Sequence, residues 1–184
     1  TEFEEFRPLE QRIATQVANA KKEKQIDFAS VYFRDLTTGR WVGINEDEIF
    51  SPASLLKVPL LIAYLRLAES KPDILEKRFR YIQKPENKNP LIPKPLLSSG
   101  NTYSVNELLA GMIIDSDNDA KDILAEAGDQ NSLREIFTDL GIESPYEPSS
   151  AGTRDYQISA KKYALFFRIL YNATFLSRDM SERA

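Results

Sequence analysis

Residues 51–65 read Ser-Pro-Ala-Ser-Leu-Leu-Lys-Val-Pro-Leu-Leu-Ile-Ala-Tyr-Leu, a polar start followed by an apolar run. Leu55, Val58, Leu61, Ile62 and Leu65 recur at helical spacing and predict a helix over 54–68. Pro59 lies inside it, lacks a backbone donor and is expected to bend the first turns. At the head stands Ser54-Leu-Leu-Lys57, an S-x-x-K. A serine on a first helical turn meets unpaired backbone N–H groups and the positive end of the helix dipole. A lysine three residues on shares its face and can reach the hydroxyl. With Leu55, Leu56, Val58 and Leu60 around it, the amine is expected to be partly desolvated. Its pKa then falls, and it can serve as general base to a serine nucleophile. The same four residues also fit an N-cap followed by a surface lysine. A second match, Ser159-Ala-Lys161-Lys162, reads in that plainer way, as a capping serine with a solvated lysine pair.

Composition narrows the chemistry around that motif. The 184 residues include no histidine and no cysteine. This excludes a Ser-His-Asp triad, a thiol nucleophile, a disulfide, and any metal site built on His or Cys. A nucleophilic serine here needs a partner such as lysine. The 24 basic and 28 acidic side chains leave a net charge of −4, which argues against a nucleic-acid partner. Hydrophobic residues are 42%, and the length suits one domain or one and a half. No apolar run nears the roughly 18–20 residues of a membrane span; the longest, Val58–Leu65, is short and interrupted by Pro59. The first residue is Thr1 and no signal peptide is present. A removed targeting segment or an excised piece of a longer chain would each give that start.

Outward from the central helix, Phe6–Lys22 carries Leu9, Ile13 and Val17 every four residues, an amphipathic helix. Phe28–Leu36 and Arg40–Ile44 read as two antiparallel strands around the turn residues Asp35–Gly39. Tyr81–Ser104 holds four of the ten prolines and reads as a long irregular connector. Ser104-Val-Asn-Glu107 is a capping box that opens a helix through Leu108, Leu109, Met112 and Ile113. Further helices are expected around Ala120–Ala127, ending at Gly128, and through Leu133, Ile136, Phe137 and Leu140, closed by Gly141. After a loop over 141–158, Ser159 caps a helix bearing Tyr163, Phe166, Phe167 and Leu170. Ser177 looks like one more N-cap, about two turns before the last residue, Ala184, and the chain reads as truncated there.

Between two of these helices lies Asp115-Ser116-Asp117-Asn118, 62 residues beyond Ser54. Alone it fits a helix end followed by an Asp or Asn cap. S-x-x-K followed by S-D-N, in that order and with a helix–loop–helix setting, is the combination of class A β-lactamases and penicillin-binding proteins. The sequence resembles that family of penicillin-recognising serine hydrolases over nearly its whole length. SPASLLKVPLLIAYL is similar to the nucleophile helix and ELLAGMIIDSDNDAKDIL to the helix–SDN–helix segment. The resemblance implies an α+β, β-lactamase-like fold. Residues 1–50 would supply a helix and hairpin of its α/β region, and 51–184 the helical domain with the nucleophile helix and SDN loop. It further implies acyl-enzyme chemistry on β-lactams or on the D-Ala-D-Ala ends of cell-wall peptides. Ser54 would be the nucleophile and Lys57 its proton partner. Ser116 would relay a proton to the leaving nitrogen. Asn118 would bind the acyl-amide group and the Lys57 region, while Asp117 braces the loop. No metal or organic cofactor is needed, and a periplasmic, secreted or envelope-anchored location follows.

Two departures modify those expectations. No K-[TS]-G occurs in the chain, whereas the family carries one on a later strand that anchors the substrate carboxylate and supplies the second oxyanion donor beside the Ser54 N–H. Loss of one such donor costs about a hundred- to a thousand-fold. The hairpin is expected to keep an unpaired edge and an exposed apolar face, and the chain to be a poor catalyst and unstable unless a second chain or fragment completes the sheet. Nor does the loop Gly141–Ser149 hold the E-x-x-L-N whose glutamate activates the deacylating water. Glu143 and Glu147 stand there by position only. An acyl-enzyme is then expected to persist. A non-catalytic envelope domain with a binding or scaffolding role is the alternative.

Overall fold

A computed structural model describes residues 3–88, 91–92, 94–142 and 156–184. In chain order its helices are α1 (Arg7–Lys22), α2 (Lys57–Ser70), α3 (Val105–Ile114), α4 (Asn118–Ala127), α5 (Gln130–Asp139), α6 (Ala160–Tyr171) and α7 (Arg178–Arg183). Its strands are β1 (Val31–Arg34), β2 (Trp41–Ile44), β3 (Ile49–Phe50), β4 (Arg78–Arg80), β5 (Thr102–Ser104) and β6 (Ile158–Ser159). The chain forms two units, Thr1–Pro52 with Asp155–Asn172, and Ala53–Arg154 with Ala173–Ala184. This grouping puts α6 with the N-terminal elements, which a cut at residue 50 leaves among the helices. No helix among the described residues is long and apolar enough to cross a membrane.

In the first unit, the Asp35 carboxylate makes the hairpin turn. It accepts the Thr38 hydroxyl at 2.6 Å and the backbone N–H of Thr37 at 2.8 Å and of Thr38 at 3.3 Å. Those donors, the Thr38 hydroxyl first, hold its carboxyl below the usual carboxylate range. Gly39, at φ +75°, then reverses the chain where a side chain would be strained. The antiparallel register follows, Val31 opposite Ile44 and Arg34 opposite Trp41. Val42 is buried, and α1 lies along β2 with Leu9, Ile13 and Val17 half-buried. Helix α6 contacts β1 and buries Tyr163 and Phe166, whose rings meet edge to face at 5.4 Å. Among the described residues β1 and β2 pair only with each other, and Phe28, Phe33, Ile49 and Phe50 stay exposed.

The second unit is built on α2. Leu60, Ile62, Ala63, Tyr64, Leu65 and Ala68 are all at most 1% exposed, so the helix is covered on most of its circumference. Helices α3 and α5 lie against it, and α4 against α3. The Tyr64 hydroxyl, buried among apolar side chains, donates to the Leu124 carbonyl at 2.6 Å. That burial pushes its phenol pKa upward. The capping box is present in both directions: Glu107 N–H to Ser104 Oγ at 3.2 Å, and Ser104 N–H to Glu107 Oε2 at 2.7 Å. Gly111 on α3 lets Leu97 seat against the helix, since a Cβ there would lie 2.5 Å from Leu97 Cδ1.

Two details depart from the sequence reading. Ser54 lies in a 3-10 turn, Ala53–Leu56, and the α-helix begins only at Lys57. Pro59 is therefore the third residue of α2, within its first turn, where a missing donor is least costly. The connector 81–104 is not wholly irregular at its ends, because β4 and β5 close it as an antiparallel pair with Phe79 opposite Tyr103. Strands of three residues are too short for alternation to reveal.

Candidate active site

Every residue singled out for chemistry that the structure describes lies in the second unit. Lys57, the first residue of α2, is 4% exposed. Its amine donates to the Ser116 carbonyl at 2.5 Å, to Ser116 Oγ at 2.9 Å, and more weakly to Ser54 Oγ at 3.4 Å. A single nitrogen thus stands between two hydroxyls from segments 62 residues apart. Burial is the main cause that lowers the Lys57 pKa, and the positive charge of Lys121 adds to it, while Asp117 and Asp122 oppose. Leu55 is 52% exposed and does not supply the expected apolar cover.

Ser54 and Ser116 are exposed residues, whereas Lys57, which bonds both hydroxyls, is buried. Both serines are also tied to left-handed backbone. Ala53 has φ +46° and Ser116 itself φ +52°, conformations costly for non-glycine residues and kept where the surroundings over-determine them. For Ser116 the surroundings are two helix ends. The Gly111 carbonyl accepts from Asp115 N–H at 3.1 Å and Asp117 N–H at 3.3 Å, which closes α3. Asp117 then caps α4 by accepting from Ala120 N–H at 2.8 Å, and its other oxygen accepts from the Tyr81 hydroxyl at 2.6 Å. Asn118 opens α4 with an exposed side chain, and its amide is not among the partners of Lys57. Chemically, the arrangement can take a proton from one hydroxyl onto a desolvated amine and return it through the other. Glu143 and Glu147 lie outside the described residues.

Residues 8–184 match the model of the beta-lactamase enzyme family. The chain belongs to that family. No curated protein matches it by sequence. Solved structures similar to it share the β-lactamase-like fold, and the chain is mostly helical with small sheets. One is an acyl-enzyme complex of a PBP-A mutant with penicillin G, at 24% identity and TM-score 0.68, covering 96% of this chain and 66% of that one. A variant of the last common ancestor of Gram-negative class A β-lactamases shows 25% identity and TM-score 0.71, covering 93% and 67%. A β-lactamase from Chitinophaga pinensis shows 21% identity and TM-score 0.67, covering 83% and 60%. The chain therefore spans roughly two thirds or less of the length of these relatives.

In this β-lactamase-family chain the sequence reading missed Tyr81 and the carboxylates of Asp115 and Asp119. Asp115 accepts from Leu96 N–H at 2.6 Å, and Asp119 from Lys84 N–H at 2.9 Å and Asn87 Nδ2 at 2.7 Å. The alternation of aspartates at 115, 117 and 119 was the one available signal, since all three grip the connector that precedes α3.

Proposed function

We propose that the chain carries the nucleophile, proton-transfer residues and SDN turn of a serine acyl-transfer enzyme acting on β-lactams or D-Ala-D-Ala cell-wall peptides outside the cytoplasm. The reading rests above all on Lys57, a buried amine hydrogen-bonded to both the Ser54 and Ser116 hydroxyls. Membership of the family and the penicillin G acyl-enzyme of the PBP-A mutant support the substrate class.

In this mechanism neutral Lys57 takes the Ser54 proton as Oγ bonds to the carbonyl carbon of the substrate amide. The proton passes through Ser116 Oγ to the leaving nitrogen as the C–N bond breaks, which leaves an ester on Ser54. The exposed Asn118 amide binds the acyl-amide group of the substrate, and Asp117 braces the turn through Tyr81. The loop from Gly141 lacks an E-x-x-L-N, so the ester is hydrolysed slowly and accumulates. With a fragment that supplies the K-T-G strand, fluorescent penicillin should label the protein stoichiometrically, with the label mapping to Ser54 by peptide mass. Absence of label even when a fragment supplying the K-T-G strand is added would overturn the reading in favour of a binding or scaffolding domain. Fast nitrocefin turnover without accumulated ester would remove only the slow deacylation.

A further inference from the structure

The serine and asparagine of the SDN turn hold an awkward position. Ser116 is exposed on left-handed backbone with Lys57 as the partner of its hydroxyl and its carbonyl, and Asn118 is exposed with its amide unbonded to Lys57. The residues that alternate with them, Asp115, Asp117 and Asp119, all accept hydrogen bonds from 81–96. Asp115 and Asp117 also end one helix and start the next. Asp119 has no such second duty. It is 2% exposed, in the first turn of α4, and both its oxygens are spent on the connector: Oδ2 on Lys84 N–H and Oδ1 on the Asn87 amide. Lys84 Nζ stands 3.9 Å from Oδ1. Burying a carboxylate is costly without such partners, and here two charge-assisted bonds and a helix N-terminus offset it. A buried acid whose bonds all point at one loop serves to hold that loop.

We propose that Asp119 is a positioning residue which, through Lys84 and Asn87, clamps the connector along the Ser116–Asn118 turn and so holds the Ser116 hydroxyl and Asn118 amide in place for acyl transfer. This rests on the function proposed above. The clamp is specific in its polarity, because the oxygen that accepts from Asn87 is not the one that accepts from the Lys84 N–H, and the Asp119–Asn87 pair can therefore be exchanged.

Acylation by fluorescent penicillin is followed by stopped flow, with the acylation rate constant separated from initial binding and the melting temperature recorded for each variant. Asp119→Ala leaves two donors without acceptors, and its acylation rate constant should fall at least about tenfold. Asn87→Asp sets two carboxylates face to face and should give a loss of similar size. Adding Asp119→Asn to Asn87→Asp puts an amide nitrogen opposite the new carboxylate while the amide oxygen keeps the Lys84 N–H. That double variant should recover to within about threefold of the parent, a coupling a merely stabilising contact would show only in melting temperature. Parental acylation in folded Asp119→Ala and Asn87→Asp overturns the clamp and leaves the enzyme reading intact. A double variant no faster than Asn87→Asp overturns it too, even where Asp119→Ala does not fold. A parent that takes no label even with a fragment supplying the K-T-G strand overturns both.

Discussion

Two segments of this chain spell the same motif and fold it in opposite senses. At Ser159-Ala-Lys-Lys162 the serine is the N-cap of α6: its side chain accepts from Lys162 N–H at 3.2 Å, the serine is 5% exposed, and the lysine is exposed. At Ser54-Leu-Leu-Lys57 the serine is exposed, no side chain caps the helix, and the lysine is 4% exposed. The difference is one of register. In the first copy the helix starts just after the serine, so the hydroxyl is consumed by the backbone and the lysine projects outward. In the second a 3-10 turn intervenes and the lysine itself begins the helix. A four-residue pattern thus says nothing about chemistry until the first helical residue is known.

Substitutions that act on one copy and not on the other put this comparison under strain. Ser54→Ala should abolish penicillin labelling, and label retained elsewhere in the chain would refute the assignment. Lys57→Ala should slow acylation by about 10²- to 10⁴-fold, the usual worth of a positioned base, while initial binding changes little. Equal loss in both would reduce the lysine to a substrate contact. The pH dependence has a definite sign. Burial lowers the Lys57 pKa in the folded protein, so acylation should rise with pH and level off below the value near 10.4 of a free lysine. Between the folded and unfolded pKa values the unfolded chain binds more protons, so stability should also rise with pH across that window. Lys57→Met should remove both slopes; a plateau unchanged in position for the parent, at the free-lysine value, would contradict the buried amine.

Local features were readable because their causes are local. The Ser104–Glu107 box, the Asp35 turn and the apolar spacings of α1 and α5 depend on residues within four or five positions of each other. The S-x-x-K and S-D-N segments were legible as motifs, and the family match accords with that resemblance. What escaped were pairings across long stretches of sequence. Tyr81 finds Asp117 after 36 residues and Lys84 finds Asp119 after 35, and neither leaves a periodic trace. The start of α2 was misplaced for a different reason: the apolar stripe extends back to Leu55, but Leu55 proves exposed, so hydrophobicity alone carried the helix too far. The same error hid why Pro59 is harmless.

The smallest effects belong to the capping copy. Ser159→Ala removes the acceptor for Lys162 N–H at the head of α6 and should cost about 1 kcal/mol of stability. Ser159→Asp, which can cap equally well, should restore most of it, read from denaturant midpoints. Neither change should alter the labelling of Ser54, because the hydroxyl at 159 is occupied by backbone and buried. Lys162→Ala should do less still, within about 0.5 kcal/mol, since an exposed side chain away from a core or cap contributes little. Loss of label on Lys162→Ala would mean that the two copies share chemistry after all, and that burial of the lysine is not what separates them.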